Sequence, residues 1–377
     1  MADVFRYCTV RPVASLLHNS ATRQPLYGEP IRTETLCSAA TKSGASAAAK
    51  TSKYKLHGYP MDVLFGSQTT TMSSSTQKSL PETQNASSFV ELHVFGSGLM
   101  EASASLTIDG HRGTTKFNSW RSLVIHKSSN IHLWFDMGVS HDLSQYPPEI
   151  QRNQHCVFKV QPAPNTILED AKSVGVDPKT VQYLIPSHAH WDHVYPMGSS
   201  FPNAKFLCGP GTLKAAAKSW PDYPDSFFDG RIWNPEKAEL PIEEIPTAKE
   251  APAKWCRIGP FENGYDFFGD GSFWLMQAPG HFPGNLAALA RTKNRNGERR
   301  WVVLGGDCMH CYDLVHYPEA PFGKGISVTE SGTLHEDEPA ARETIRKIAS
   351  LRKVYDGELF VWPAHVDCLE GIWEFDV

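Results

Sequence analysis

The chain has 377 residues, 41% hydrophobic and 20% charged, an ordinary globular balance that excludes fibrous, collagenous and wholly disordered classes. Its 36 Lys and Arg against 41 Asp and Glu leave a net charge of -5, so no overall positive field exists to hold a nucleic acid. No apolar run approaches bilayer length, no basic-then-apolar secretory pattern opens the chain, and eight widely spaced cysteines do not read as a disulfide framework, which together point to a cytoplasmic protein with reduced thiols and no membrane partner.

Residues 1–87 carry 9 Lys and Arg against 5 Asp and Glu, leaving 27 against 36 for the rest. This basic leader is rich in Ser, Thr and Ala and lacks helical or strand periodicity, so it reads as a disordered tail. A mitochondrial targeting peptide, or upstream sequence with Met72 as the true start, are the alternatives. A structured body is expected over 88–377. Strand patterns appear at 89–95, 105–108, 122–126 and 131–135, then a helix at 167–174 and an apolar run at 181–185 that enters a histidine cluster. A strand at 205–208 and a helix at 211–219 follow. Residues 220–257, with six prolines and no clear period, read as a long surface insertion that lines a pocket. Strands resume at 272–277, 286–291 and 301–304, a helix is expected at 339–351, and 359–362 forms a last strand. Strands and helices alternate in two successive halves, which makes the chain α/β.

The cluster Ser187-His188-Ala189-His190-Trp191-Asp192-His193 joins three imidazoles and a carboxylate, the ligand types that suit zinc. In an extended segment His188 and His190 face one way, and a turn after Trp191 lets Asp192 and His193 face a second point. Further ligand types end later strand patterns: His281 after Pro279-Gly280, Asp307 after Gly305-Gly306, and His365 after Pro363-Ala364. Strand ends are where a sheet-based enzyme gathers its functional groups.

His188-x-His190-x-Asp192-His193, followed by His281, Asp307 and His365, resembles the signature of the metallo-β-lactamase-fold hydrolases, and Asp136 in Leu133-Trp134-Phe135-Asp136-Met137-Gly138 resembles the structural Asp of its first motif. The resemblance implies a four-layer αβ/βα sandwich with a dinuclear metal site at the edge of the sheets. It implies two zinc ions per chain, one on His188, His190 and His281, the other on Asp192, His193 and His365, with Asp307 between them. It implies hydrolysis by a hydroxide bridging the two ions, whose parent water falls from a pKa of about 15.7 toward 7. Asp192, His310 and Tyr312 are the candidate catalytic groups.

Ligand identity separates the branches of the family. His190 stands where flavodiiron oxidoreductases have Glu, Asp307 where class B β-lactamases have Cys, only 12 residues follow His365 where glyoxalase II enzymes add a helical domain, and the acidic body suits no polyanion. The patterns Gly305-Gly306-Asp307-Cys308 and Pro279-Gly280-His281-Phe282-Pro283-Gly284 resemble fungal lactonase- and lactamase-like members. Bacterial quorum-quenching lactonases have a Tyr three residues after the bridging Asp; here that position is His310, with Tyr312 two residues on. The expected substrate is a small carbonyl compound, a lactone or lactam, in detoxification or secondary metabolism, with Trp191, Phe282 and the insertion's Trp220, Tyr223, Phe227, Phe228 and Trp233 as candidate pocket walls. An acyl-thioester hydrolase and a non-catalytic zinc-binding module are the alternatives. Cys308-Met309-His310-Cys311 also admits a redox or metal pair.

Overall fold

The computed structural model describes residues 79–81 and 87–366. The readings made on 1–78 and 82–86 lie outside the described residues. Among the described residues, twelve strands form two six-stranded sheets. The first takes its strands in chain order: β1 (Glu91–Ser103), β2 (Thr114–His126), β3 (Ile131–Phe135), β4 (Val181–Ile185), β5 (Lys205–Cys208) and β6 (Ile242–Glu244). Its first two pairings are antiparallel and the other three parallel. The second holds β7 (Trp255–Ile258), β8 (Phe261–Asp266), β9 (Phe273–Gln277), β10 (Leu286–Lys293), β11 (Arg299–Gly306) and β12 (Leu359–Pro363), antiparallel except for β11 with β12.

Because successive strand residues face opposite sides, each central strand feeds two apolar layers. Leu133 and Phe135 of β3 join a cluster with Leu275, Ala288, Val302 and Leu304 of the second sheet, filling the space between the sheets. Trp134 points the other way, toward Ile167 and Ala171 of the helix Ile167–Ser173. On the far face of the second sheet Met276, Leu289, Val303 and Val361 meet Ala341, Ile345, Ile348 and Leu351 of the helix Glu338–Val354. Three apolar layers between four layers of structure make the αβ/βα sandwich. Among the described residues no helix is long and apolar enough to cross a membrane.

Local chemistry sets the helix starts. Thr166 and Glu169 form a reciprocal capping box, and the Asp337 side chain accepts from the Ala340 N–H at 3.0 Å with Pro339 in the first turn, a start for which proline's missing N–H costs nothing.

Three elements differ from the sequence reading. Residues 105–108 are no strand: β1 runs on to Ser103 past a bulge between Gly96 and Leu99, and the turn Ala104–Leu106 is 3₁₀. The expected helix at 211–219 is one turn, Thr212–Ala215. The stretch 220–257 is more regular than its prolines suggest, since it supplies β6 at the edge of one sheet, begins β7 at the edge of the other, and buries Ile232 and Trp233 in the first core. Leu80, inside the segment read as leader, is buried in the second-sheet core, and its N–H donates to Tyr355 Oη at 2.7 Å.

Candidate metal centre

The residues of interest leave the ends of five strands. Asp136 follows β3, the histidine cluster follows β4, His281 follows β9, Asp307 follows β11 and His365 follows β12. Two glycines allow the close approaches. Gly306 adopts φ 48°, and a Cβ there would sit 2.6 Å from Ser187 Oγ. At Gly280, φ is 129° and a Cβ would lie 2.1 Å from the Ala341 nitrogen, so only glycine lets the His281 turn rest on the start of the long helix.

The side chains meet in two groups. In one, His188 Nε2, His190 Nδ1 and His281 Nε2 form a triangle with edges of 2.8, 3.0 and 3.1 Å. In the other, His365 Nε2 lies 3.1 Å from Asp192 Oδ2 and 3.2 Å from His193 Nε2. Asp307 turns one oxygen to each group: Oδ2 is 3.4 Å from His281 Nε2 and 3.8 Å from His188 Nε2, while Oδ1 is 3.1 Å from both His193 Nε2 and His365 Nε2. His190 is the half-buried member of the set and the others are buried.

These residues suit cations. Each imidazole carries at most one N–H per nitrogen, so three ring nitrogens facing one another cannot all be satisfied pairwise. Asp307 Oδ1, though close to two rings, lacks the alignment of a hydrogen bond to either. Lone pairs aimed at a common point are what a metal requires, and imidazole with carboxylate is a zinc-type donor set.

Electrostatics differ between the groups. Burial and the neighbouring rings hold His188 far below the usual imidazole range. Burial likewise depresses His281 strongly and brings His190 to about 4, so this triangle is neutral. Burial is the largest single influence on His193 and His365 too, but the surrounding carboxylates together outweigh it: Asp307, Asp136 and Asp192 at His193, Asp307 and Asp192 at His365. His193 rises well above its ordinary value and His365 to about 10. Asp307 is pushed up by desolvation yet ends well below the carboxylate range because His365, His193 and His310 surround it.

A ring of supporting contacts orients the imidazoles. Asp136, at φ 53°, accepts from the Ser187 N–H at 2.6 Å and pairs with His193 Nδ1 at 3.1 Å. Ser187 Oγ is 3.0 Å from His188 Nδ1, and His365 Nδ1 is 3.0 Å from the Asn118 carbonyl. Ser187 and Asn118 went unrecognised in the sequence, where neither residue type nor spacing distinguishes them.

His310 joins the centre: its Nε2 is 3.0 Å from Asp307 Oδ2 and its ring stacks over His365. Tyr312 packs against the apolar cores on either side of the second sheet, its ring 5.6 Å from that of His316. Trp191 turns into the first core, edge-on to Tyr146 and His155, beside a small cavity of about 10 Å³ lined by Ala189, Phe227 and Trp233. Phe282 lies 5.1 Å from the His190 ring and 5.6 Å from Phe228, while Tyr223 is exposed. Cys308 and Cys311 form no disulfide with each other, and burial pushes the Cys308 thiol up to about 12, which keeps it out of thiolate chemistry.

No protein-family model matches the chain. Over 262 residues it is 30% identical to the cytochrome P450 monooxygenase mpaDE of Penicillium roqueforti, a match covering 65% of this chain and 29% of that protein, so the chain spans less than a third of that relative's length. Over 202 residues it is 31% identical to Gamma-lactamase MBL2 of Gibberella moniliformis, covering 52% of this chain and 79% of the relative. Its fold superposes on a quorum-quenching N-acyl homoserine lactone lactonase with a TM-score of 0.52 at 17% identity, over 76% of this chain and 95% of the other. Sequence kinship and architecture agree, and the chain belongs to the metallo-β-lactamase-fold hydrolases.

Proposed function

We propose that this chain is a dinuclear zinc hydrolase that opens a small lactone or lactam ring. The observation that carries the reading is Asp307, whose two oxygens face separate groups of ring nitrogens. His188, His190 and His281 would hold one ion, Asp192, His193 and His365 the other, and Asp307 would reach both. Bound there, the pair would activate a water and polarise a substrate carbonyl.

The chain's own residues supply the rest. Asp136, Ser187 and the Asn118 carbonyl keep the rings from turning, which preserves the alignment on which rate depends. His310, its Nε2 3.0 Å from Asp307 Oδ2, would orient that carboxylate between the two groups. Phe282 and Phe228 beside the half-buried His190 form an apolar wall suited to a neutral ring compound. The names of the relatives support the ring-opening reading: one is a γ-lactamase, and a structural neighbour is a lactone lactonase. The acidic body argues against phosphodiesters.

A panel of γ-lactones, benzoxazolinone-like lactams, acyl-homoserine lactones, β-lactams, acyl thioesters and bis-p-nitrophenyl phosphate tests the proposal. A ring-opening activity should lead. Thioester or phosphodiester turnover exceeding every ring opening by more than roughly a hundredfold, about 2.7 kcal/mol in transition-state stabilisation, would overturn it.

A further inference from the structure

Three of the four rings that turn Nε2 inward have a partner on the other nitrogen: Ser187 for His188, Asp136 for His193 and the Asn118 carbonyl for His365. His281 is the exception, for its Nδ1 is buried without a hydrogen-bond partner. The Nδ1 atoms of His310 and His335 share that condition. The three rings pack around one point, with centroids 5.0 Å apart for His281 and His310, 5.5 Å for His281 and His335, and 5.4 Å for His310 and His335. One ring nitrogen of each lies within 4.8 Å of those of the other two.

His335 belongs to no ligand pattern, yet its loop holds it firmly. Ser331 and Thr333 hydroxyls donate to its carbonyl, and its N–H donates to Thr333 Oγ1 at 3.1 Å. Phe322 lies 4.6 Å from its imidazole, with the Arg342 guanidinium 3.7 Å from the Phe322 ring. The next two residues, Glu336 and Asp337, donate their N–H groups to the carbonyls of His281 and Gly280, locking this loop to the His281 turn.

We infer that His335 is a positioning residue of the metal centre: with His310 it holds one water against His281 Nδ1, and so fixes the tautomer and tilt with which His281 offers Nε2. The inference rests on the dinuclear reading above. The three Nδ1 atoms make no direct hydrogen bond, and ring nitrogens within 4.8 Å of one another are close enough for one water about 2.8 Å from each to bridge. The donor count closes. With Nε2 given to a metal, His281 keeps its proton on Nδ1 and donates to the water. His310, donating Nε2–H to Asp307, has its lone pair on Nδ1, as does a neutral His335 with its proton on Nε2, and the water's two protons serve them. A third cation is the competing occupant, but a protonated His281 Nδ1 has no lone pair for it.

The test uses the full-length chain loaded with zinc alone and follows metal release to a chromogenic chelator. His335→Phe keeps a ring against Phe322 but removes both nitrogens; His335→Gln restores a polar group. Two ions should be found in the wild type. In His335→Phe one of them should be released roughly ten- to a hundredfold faster, the scale of a lost supporting partner, with the other unchanged, and His335→Gln should stay within about threefold of the wild type on that scale. Wild-type release from His335→Phe would overturn the inference, as would equal acceleration in both variants, which assigns His335 to packing. A third equivalent of zinc that disappears in His335→Phe would make the trio a cation site and overturn it too. A wild-type chain that takes up no zinc would remove the dinuclear reading and this inference together, an outcome distinct from unchanged release by a loaded variant.

Discussion

Asp307 and Asp136 do different work, and substitution separates them. Asp307→Ala removes the one carboxylate that faces both nitrogen groups, so bound zinc should fall below two per chain and turnover by several orders of magnitude; wild-type rate with two ions retained would refute the bridging role. Asp136 touches no proposed ion. It accepts from the Ser187 N–H and holds His193 Nδ1 from a left-handed backbone that Asp tolerates better than most residues. Asp136→Ala should therefore leave a folded chain whose affinity for one ion drops roughly 10–100-fold, read by competition with a chelator.

Among the elements, the short segment around Leu80 and the helix Glu338–Val354 share one core. A chain begun at Met72 keeps Leu80 against that core, whereas one begun at Ser88 loses a buried leucine and its N–H bond to Tyr355. Denaturant unfolding should show the second to be less stable by about 2–4 kcal/mol, and equal midpoints would show that Leu80 contributes nothing. Ile345→Ala, at a fully buried helix position, should cost about 2–5 kcal/mol. That helix was legible because Ile345, Ile348 and Leu351 recur at helical spacing. The hairpin of β7 and β8 was not: Cys256, Arg257 and Glu262 point to solvent and Gly264 interrupts the alternation, so its edge position shows only in pairing. β6 hides for a similar reason, three residues long among prolines.

At the level of the whole molecule, the proposed donors come from both sheets: the histidine cluster follows β4 of the first, and His281, Asp307 and His365 follow strands of the second. Metal that binds only the folded chain stabilises it by mass action, about 4 kcal/mol at a thousandfold excess over Kd. Stripping zinc should lower the melting midpoint on the order of 10 °C, and zinc should restore it; an unchanged midpoint would show that the ions do not join the sheets. The seven proposed donors stand out in the sequence because ligand types crowd one loop or end strand patterns, after glycine at His281 and Asp307 and after Pro363-Ala364 at His365. His335 does not, since its neighbours in space, His281 and His310, lie far off in sequence and Thr333 and Glu336 around it are ordinary loop residues.

The contact between Gly280 and Ala341 makes the outer helix a ruler for the centre. The helix abuts the His281 turn with no gap for even a methyl group on Gly280, so the depth at which its first turn seats sets how far His281 extends. Ala341 is not among the proposed donors, yet a bulkier side chain there would lift the helix and carry His281 with it. In a library of variants selected for turnover, Ala341 should be nearly as restricted as the donors themselves, while Arg346 and Lys347 on the same helix, facing solvent and paired with Glu319 and Glu262, accept most replacements.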